Sequence, residues 1–184
     1  MREIMLDIET LGTSDNALIT TISMVQFDLE TGEVGSQIEL ALNWEEQEKN
    51  GGIIDAGTVR WWMQQADVAI KAMVNLPTYS VERVIVEIEE WIEAIFGEKV
   101  NDVKVWGNGV TFDNTIVRNL YTRHGATFPI PYWGDTDVRT LLALCPTKVK
   151  KEVEFVGTQH KGIDDCLYQI KYCTLANQII KGNK

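Results

Sequence analysis

The first 42 residues constrain the fold more than any other part of the chain. Ile4, Leu6 and Ile8 alternate with Met5, Asp7 and Glu9, the period of two expected of a strand with one apolar face. The next stretch, LITTISMVQFD, is rich in β-branched residues. LETGEVG supplies a turn, and SQIELAL alternates again. Three such runs joined by short connections predict an antiparallel meander.

Beyond residue 42 the period changes. NWEEQEKNGGIIDAG (43–57) is polar and glycine-containing and reads as a loop, and TVRWWMQQADVAIKAM (58–73) reads as one helix. VERVIVEIEEWIEAIF is the clearest helix. Val81, Val84, Ile85, Ile88, Trp91, Ile92 and Ile95 repeat at three and four with acids opposite, Ser80 stands at the N-cap and Gly97 follows the end. VKVWGNG reads as a buried strand, FDNTIVRNLYTRHG as a helix, GDTDVRTLLALC as a short strand entering a helix, and residues 163–180 as a closing helix. Strands first, then strands alternating with helices, predict an α/β fold: a mixed central sheet with helices on both faces. No linker-like stretch divides the 184 residues, so one domain over 1–184 is expected.

Composition excludes several functions. No apolar run reaches the length of a membrane span, and MREIMLDIET lacks the apolar core of a secretion signal, so no membrane partner and a cytoplasmic location are expected. Three cysteines and two histidines leave no zinc cluster, and Cys166 and Cys173 lie too far apart on one helix to bridge. A net charge of −10 is the opposite of a general basic nucleic-acid binder. Either the protein never meets a polyanion, or its carboxylates hold cations that do.

The carboxylate pattern favours the second. Asp7 and Glu9 are two apart on a strand, hence on one face, where they repel and are poorly solvated unless a cation joins them. A second D-x-E, Asp28-Leu29-Glu30, runs into Gly32 and reads as a solvated hairpin tip. His160 precedes Asp165 by five residues, on a loop leading into the last helix. Asp113 opens a helix after the strand ending at Gly107. Gly107 and Gly109 are read as points of close backbone approach to a ligand. Four carboxylates and one histidine suit two-metal phosphodiester hydrolysis.

The ordered motifs DIET (Asp7, Glu9, Thr10), FDN (Asp113) and HKGIDD (His160, Asp165) resemble the DnaQ-like 3′-to-5′ exonucleases of the DEDDh group, on a ribonuclease H-like fold. DAGTVRWWMQQAD (55–67) and VRTL (138–141) are similar to a phage and prophage subgroup related to exonuclease VIII and to a bacterial 3′-to-5′ exoribonuclease. The resemblance covers nearly the whole chain. It implies two divalent cations, Mg²⁺ or Mn²⁺. Asp7 would bridge them, Glu9 and Asp165 would complete the first set of ligands, and Asp113 would hold the second, with Asp164 a competitor for Asp165. His160 would be the general base. Thr10 and Asn108 would line the cleft.

The substrate implied is the 3′ end of single-stranded or frayed DNA, released as nucleoside monophosphate in a host cytoplasm if phage-encoded. Alternatives are RNA trimming and a non-catalytic accessory module. The resemblance also leaves room for a homodimer. Adjacent helical residues point about 100° apart, so one of Trp61 and Trp62 is expected in the core and the other in the cleft. Arg139 is expected to pair with Asp135 or Asp137 rather than with a phosphate. The imidazole of His160 is expected to be displaced until substrate binds.

Overall fold

The computed structural model describes residues 1–182. Strands β1 (Glu3–Thr10), β2 (Ile19–Phe27) and β3 (Val34–Leu42) form the antiparallel meander. Strands β4 (Thr78–Tyr79), β5 (Lys104–Gly107) and β6 (Asp135–Asp137) complete a mixed sheet of order β4-β3-β2-β1-β5-β6. β5 lies parallel to β1, and β6 parallel to β5. The alternation on β1 sorts its side chains to two cores. Ile4, Leu6 and Ile8 join one with the apolar face of α4 (Val81–Phe96) and with Ile116, Val117 and Leu120 of α5 (Asp113–Arg123). Met5 faces the other way, into a core with Cys166, Ile170 and Cys173 of α7 (Gly162–Ile180). Full burial of each such side chain contributes roughly 1.5–3 kcal/mol.

The helix boundaries follow local chemistry. Ser80 Oγ accepts from the Arg83 amide at 3.3 Å, and Gly97 ends α4 at φ 58°. Asp28 Oδ1 accepts from the amides of Glu30 and Thr31, so the second D-x-E is turn chemistry. All three cysteines are buried and free.

Two expectations fail. The stretch 43–57 is not all loop: α1 (Trp44–Lys49) starts there, capped by Asn43 Oδ1 on the Glu46 amide. The apolar period misses it because its buried member is Gln47, whose side-chain amide pairs with both the N–H and the C=O of Ile19. The single helix read over 58–73 is two, α2 (Ala56–Trp62) and α3 (Asp67–Val74). Gln65 Nε2 donates back to the Trp61 carbonyl, and Ala66 turns extended at ψ 141°, which breaks the ladder between them. The split lets Trp62, Ala69 and Met73 close a third small core over Leu11 and Leu18. Among the described residues no helix is long and apolar enough to cross a membrane.

Candidate active site

The parallel strands β1 and β5 end at the same edge of the sheet, and ligands of open α/β sheets gather beyond such strand ends. Asp7 and Glu9 project there from β1 toward α7. The first turn of α7 is tied to the sheet by Glu39 of β3, whose carboxylate accepts from the Ser23 hydroxyl at 3.0 Å and the Ile163 amide at 3.4 Å. Gly162 permits that approach, since a Cβ there would lie 2.2 Å from Ser23 Oγ. Asp165 then faces Glu9. Glu9, His160 and Asp165 each offer a ligand atom, all within 4.8 Å of one another. The carboxylate oxygens are hard donors of the kind that divalent cations take.

The two candidates of HKGIDD separate cleanly. Asp165 Oδ2 accepts from the His160 amide at 2.7 Å and stands in the cluster. Asp164 Oδ2 accepts from the Thr158 amide at 2.9 Å and fastens the preceding loop. His160 has φ 63°, a left-handed conformation uncommon for a residue with a side chain. That backbone holds its Nδ1 3.9 Å from Glu9 Oε1, with the ring edge-on to Trp61 and Trp62 at centroid distances of 5.0 and 5.7 Å. The imidazole therefore stands at the acids, with two indoles and the Asp165 bond holding the loop.

The electrostatics are those of a cation site. Burial pushes the Asp7 carboxyl well above its ordinary value, and the charges of Asp113 and Asp165 add to the rise. Burial raises Glu9 to about 10, with Asp7 and Asp165 adding. Asp113, 5% exposed, is raised by burial to about 7, while the charge of Arg139 pulls it down. Burial also raises Asp165, opposed by its bond from His160. Among the described residues only neutral Gln169 answers Asp7 directly, donating Nε2 to Oδ1 at 2.8 Å. A divalent cation would remove this repulsion.

Two cavities flank His160. The larger, about 530 Å³, is lined by Ile8, Glu9, Thr10, Trp61, Trp62 and Phe112 among others. The smaller, about 310 Å³, is polar and includes Asn108, Asp165 and Gln169.

Residues 2–176 match the family described as the 3′-5′ exoribonuclease Rv2179c-like domain. The chain belongs to this family. It is a 3′-5′ exonuclease, and its ribonuclease H-like fold recurs in solved exonuclease structures. One is a 3′-exonuclease with specific recognition of the 3′ end of a histone mRNA stem-loop, at 11% identity and TM-score 0.63 over 96% of this chain and 81% of that one. Another is the nuclease domain of 3′hExo, a DEDDh family member bound to rAMP, at 12% and 0.60 over 96% and 91%. E. coli exonuclease I in complex with a dT13 oligonucleotide gives 15% and 0.64 over 98% of this chain, which spans 42% of that one. No curated protein sequence matches.

Within this Rv2179c-like domain the remaining expected residues fall into place unevenly. Trp62 is 4% exposed and donates its indole N–H to the Thr10 carbonyl at 2.9 Å; Trp61 is 43% exposed on the cleft wall. Thr10 lines the cleft, but its hydroxyl donates to the Gly12 carbonyl at 2.7 Å, so it also shapes the turn. Asn108 lines the smaller cavity. Arg139 does not pair with Asp135, whose carboxylate takes a bidentate bond from Arg118 at 2.8 Å. Asp137 caps α6 (Val138–Leu144) through the Thr140 amide and also accepts from the Val110 amide. Exposed Arg139 instead lies over Gly109, where a Cβ would stand 3.3 Å from its Cζ. The space at Gly107 is filled by Asn114 and Asp113. Gly107 thus serves close internal packing, and Gly109, at φ 118°, takes a backbone conformation that suits glycine. Gln169 escaped the sequence reading, although its place four residues after Asp165 puts it on the same helical face.

Proposed function

We propose that Asp7, Glu9, Asp113 and Asp165 hold two divalent cations, Mg²⁺ or Mn²⁺, and that the chain, as one catalytic domain, removes mononucleotides from the 3′ end of single-stranded RNA. The observation that carries this reading is the convergence of Glu9, His160 and Asp165 within 4.8 Å beside the mutually repelling Asp7 and Asp113. The family description supports RNA; single-stranded or frayed DNA is the second reading, supported by the oligonucleotide bound to exonuclease I.

The larger cavity takes the terminal nucleoside. Its base stacks on Trp61, while Trp62 holds the floor by its bond to Thr10. Stacking of this kind is tolerant of base identity. His160, held by Asp165 through its backbone amide, accepts a proton from the attacking water. Water attacks phosphorus, the bond to the upstream O3′ breaks, and that oxygen leaves with a proton. The products are a nucleoside 5′-monophosphate and a strand one residue shorter. Cations bound at the carboxylates supply charge neutralisation at the phosphate and make the water more acidic.

The test is incubation of purified protein with 5′-labelled RNA and DNA oligomers in Mg²⁺ or Mn²⁺. Stepwise 3′ shortening, faster on RNA, is expected. Binding without shortening under either ion would favour a non-catalytic accessory module and overturn the proposal.

A further inference from the structure

The two cavities beside His160 differ in a way that gives the strand a direction. The larger is lined by apolar side chains, threonines, glycines and the acids Glu9 and Asp55, and has no lysine or arginine in its wall. It suits one nucleoside but offers nothing to a succession of phosphates. The smaller cavity carries Lys150, together with Phe155, Tyr168 and Tyr172. The Lys150 ammonium lies 6.0 and 5.6 Å from the ring centroids of Tyr168 and Tyr172. Gln169 lines the same cavity, is 4% exposed, and its Oε1 has no hydrogen-bond partner among the described residues.

Lys150 is also where this cavity meets the next. A third, of about 510 Å³, shares Lys150 and adds Lys148 and Lys151 to its wall. Residues 148–161 carry four lysines against two glutamates in a chain whose net charge is −10. Lys148, Lys150, Lys151 and Lys161 are all exposed. Four of the seventeen basic residues of an acidic protein thus stand together on one side of the catalytic histidine, beside aromatic rings. A single-strand groove combines cations that follow the phosphates with rings that receive bases; here half-buried Phe155 and Tyr168 are the open rings, and Tyr172, 1% exposed, backs the wall.

We propose that the cavity behind His160 and the lysine-lined groove beyond Lys150 form the lane for the strand upstream of the scissile phosphate. The inference rests on the exonuclease reading above and adds the path and polarity of the substrate. The terminal nucleoside sits on the Trp61 side, and the nucleoside carrying the leaving O3′ sits on the Tyr168 side. Asn108 and the free Gln169 Oε1 face that nucleoside, and the following phosphates run past Lys150, Lys148 and Lys151.

The test compares kcat/KM for a 5′-labelled dinucleotide and a 12-mer of the same sugar, in wild type and in Lys150→Ala/Lys151→Ala. Wild type should prefer the 12-mer. In the double variant that preference should shrink about tenfold through KM. The salt dependence of 12-mer binding should fall by about 1.4 in log–log slope, some 0.7 for each phosphate that a lysine no longer neutralises. Lys99→Ala/Lys181→Ala removes as much charge far from the site and should leave the preference intact. An unchanged length preference in the lysine variant, or an equal reduction in the control, overturns the lane. Absence of cleavage of both the 12-mer and the dinucleotide by wild type would instead defeat the exonuclease reading itself.

Discussion

The chain contains one acidic tripeptide pattern twice, and its two copies have opposite fates. Asp7-Ile8-Glu9 sits on β1, paired with β2 and just past the last pair with β5, with α7 across its face. Asp28-Leu29-Glu30 sits at the hairpin between β2 and β3. Burial drives Asp7 well above the ordinary carboxylate range and Glu9 to about 10. At the hairpin the Thr31 amide holds Asp28 below its ordinary value, and Lys181 does the same for Glu30. Acids answered by amides and a lysine ionise easily and stabilise a turn. Acids answered mainly by other acids favour a cation and lower stability until one arrives. The same two acids at the same spacing serve structure in one place and a proposed reaction site in the other, and the surroundings decide which.

The largest expected break in this comparison is the loss of charge at Asp7. Asp7→Asn should cut 3′ shortening by about 10³-fold, several kcal/mol of transition-state stabilisation. Its melting temperature in chelator should hold or rise, because a repelling buried charge is gone. Asp28→Asn should change the rate less than about twofold and lower stability slightly, by the ~1 kcal/mol of a turn or cap bond. Equal effects of the two substitutions on the rate would erase the distinction between the sites.

His160→Ala should slow turnover by about 10²–10⁴, the range for a lost general base. Calorimetric Mn²⁺ affinity should change little. If affinity collapses with the rate, His160 is a ligand, and its closeness to Glu9 and Asp165 has a different meaning.

The Trp pair extends the contrast to adjacent residues. Trp62→Ala should cost roughly 3–5 kcal/mol of stability, as for other buried aromatics. Trp61→Ala should leave stability nearly unchanged and weaken single-strand binding by ~1–3 kcal/mol with little sequence preference. Denaturant melts together with anisotropy titrations would separate the two.

The smallest effect is in pH. Folded-state values raised above unfolded ones mean that the folded protein binds more protons between them, so stability falls as pH rises through that interval. Asp113 lies at about 7 when folded, so the melting temperature in chelator should drop by about 5–10 °C from pH 5 to pH 8. Asp113→Asn should reduce that slope without removing it, because Glu9 and Asp7 are raised as well, and saturating Mn²⁺ should oppose it most at the upper end. Asp28 has the opposite sign, since its stabilising contribution is lost only as pH falls through its lowered value. A slope left unchanged by Asp113→Asn would assign the uptake to Glu9, Asp7 and Asp165 alone.

What the sequence determined by itself is what depends on short range. Alternation marked β1 to β3, the three-and-four repeat marked α4, and the turn residues Asp28 and Gly32 marked the hairpin, because each is fixed by neighbours within a few residues. The order of DIET, FDN and HKGIDD carried the family, since spacing along β1 and α7 fixes which way the acids point. The tertiary structure alone decided what depends on distant partners. Arg118 rather than Arg139 took Asp135, because α5 brings it alongside β6. Gln47, polar and thus invisible to a hydrophobic period, became a buried clamp on Ile19. Trp62 rather than Trp61 turned inward, because α2 ends where the Thr10 carbonyl can accept its indole N–H. His160 was held at the acids by rings about a hundred residues earlier in the chain, and local periodicity does not register packing between segments so far apart.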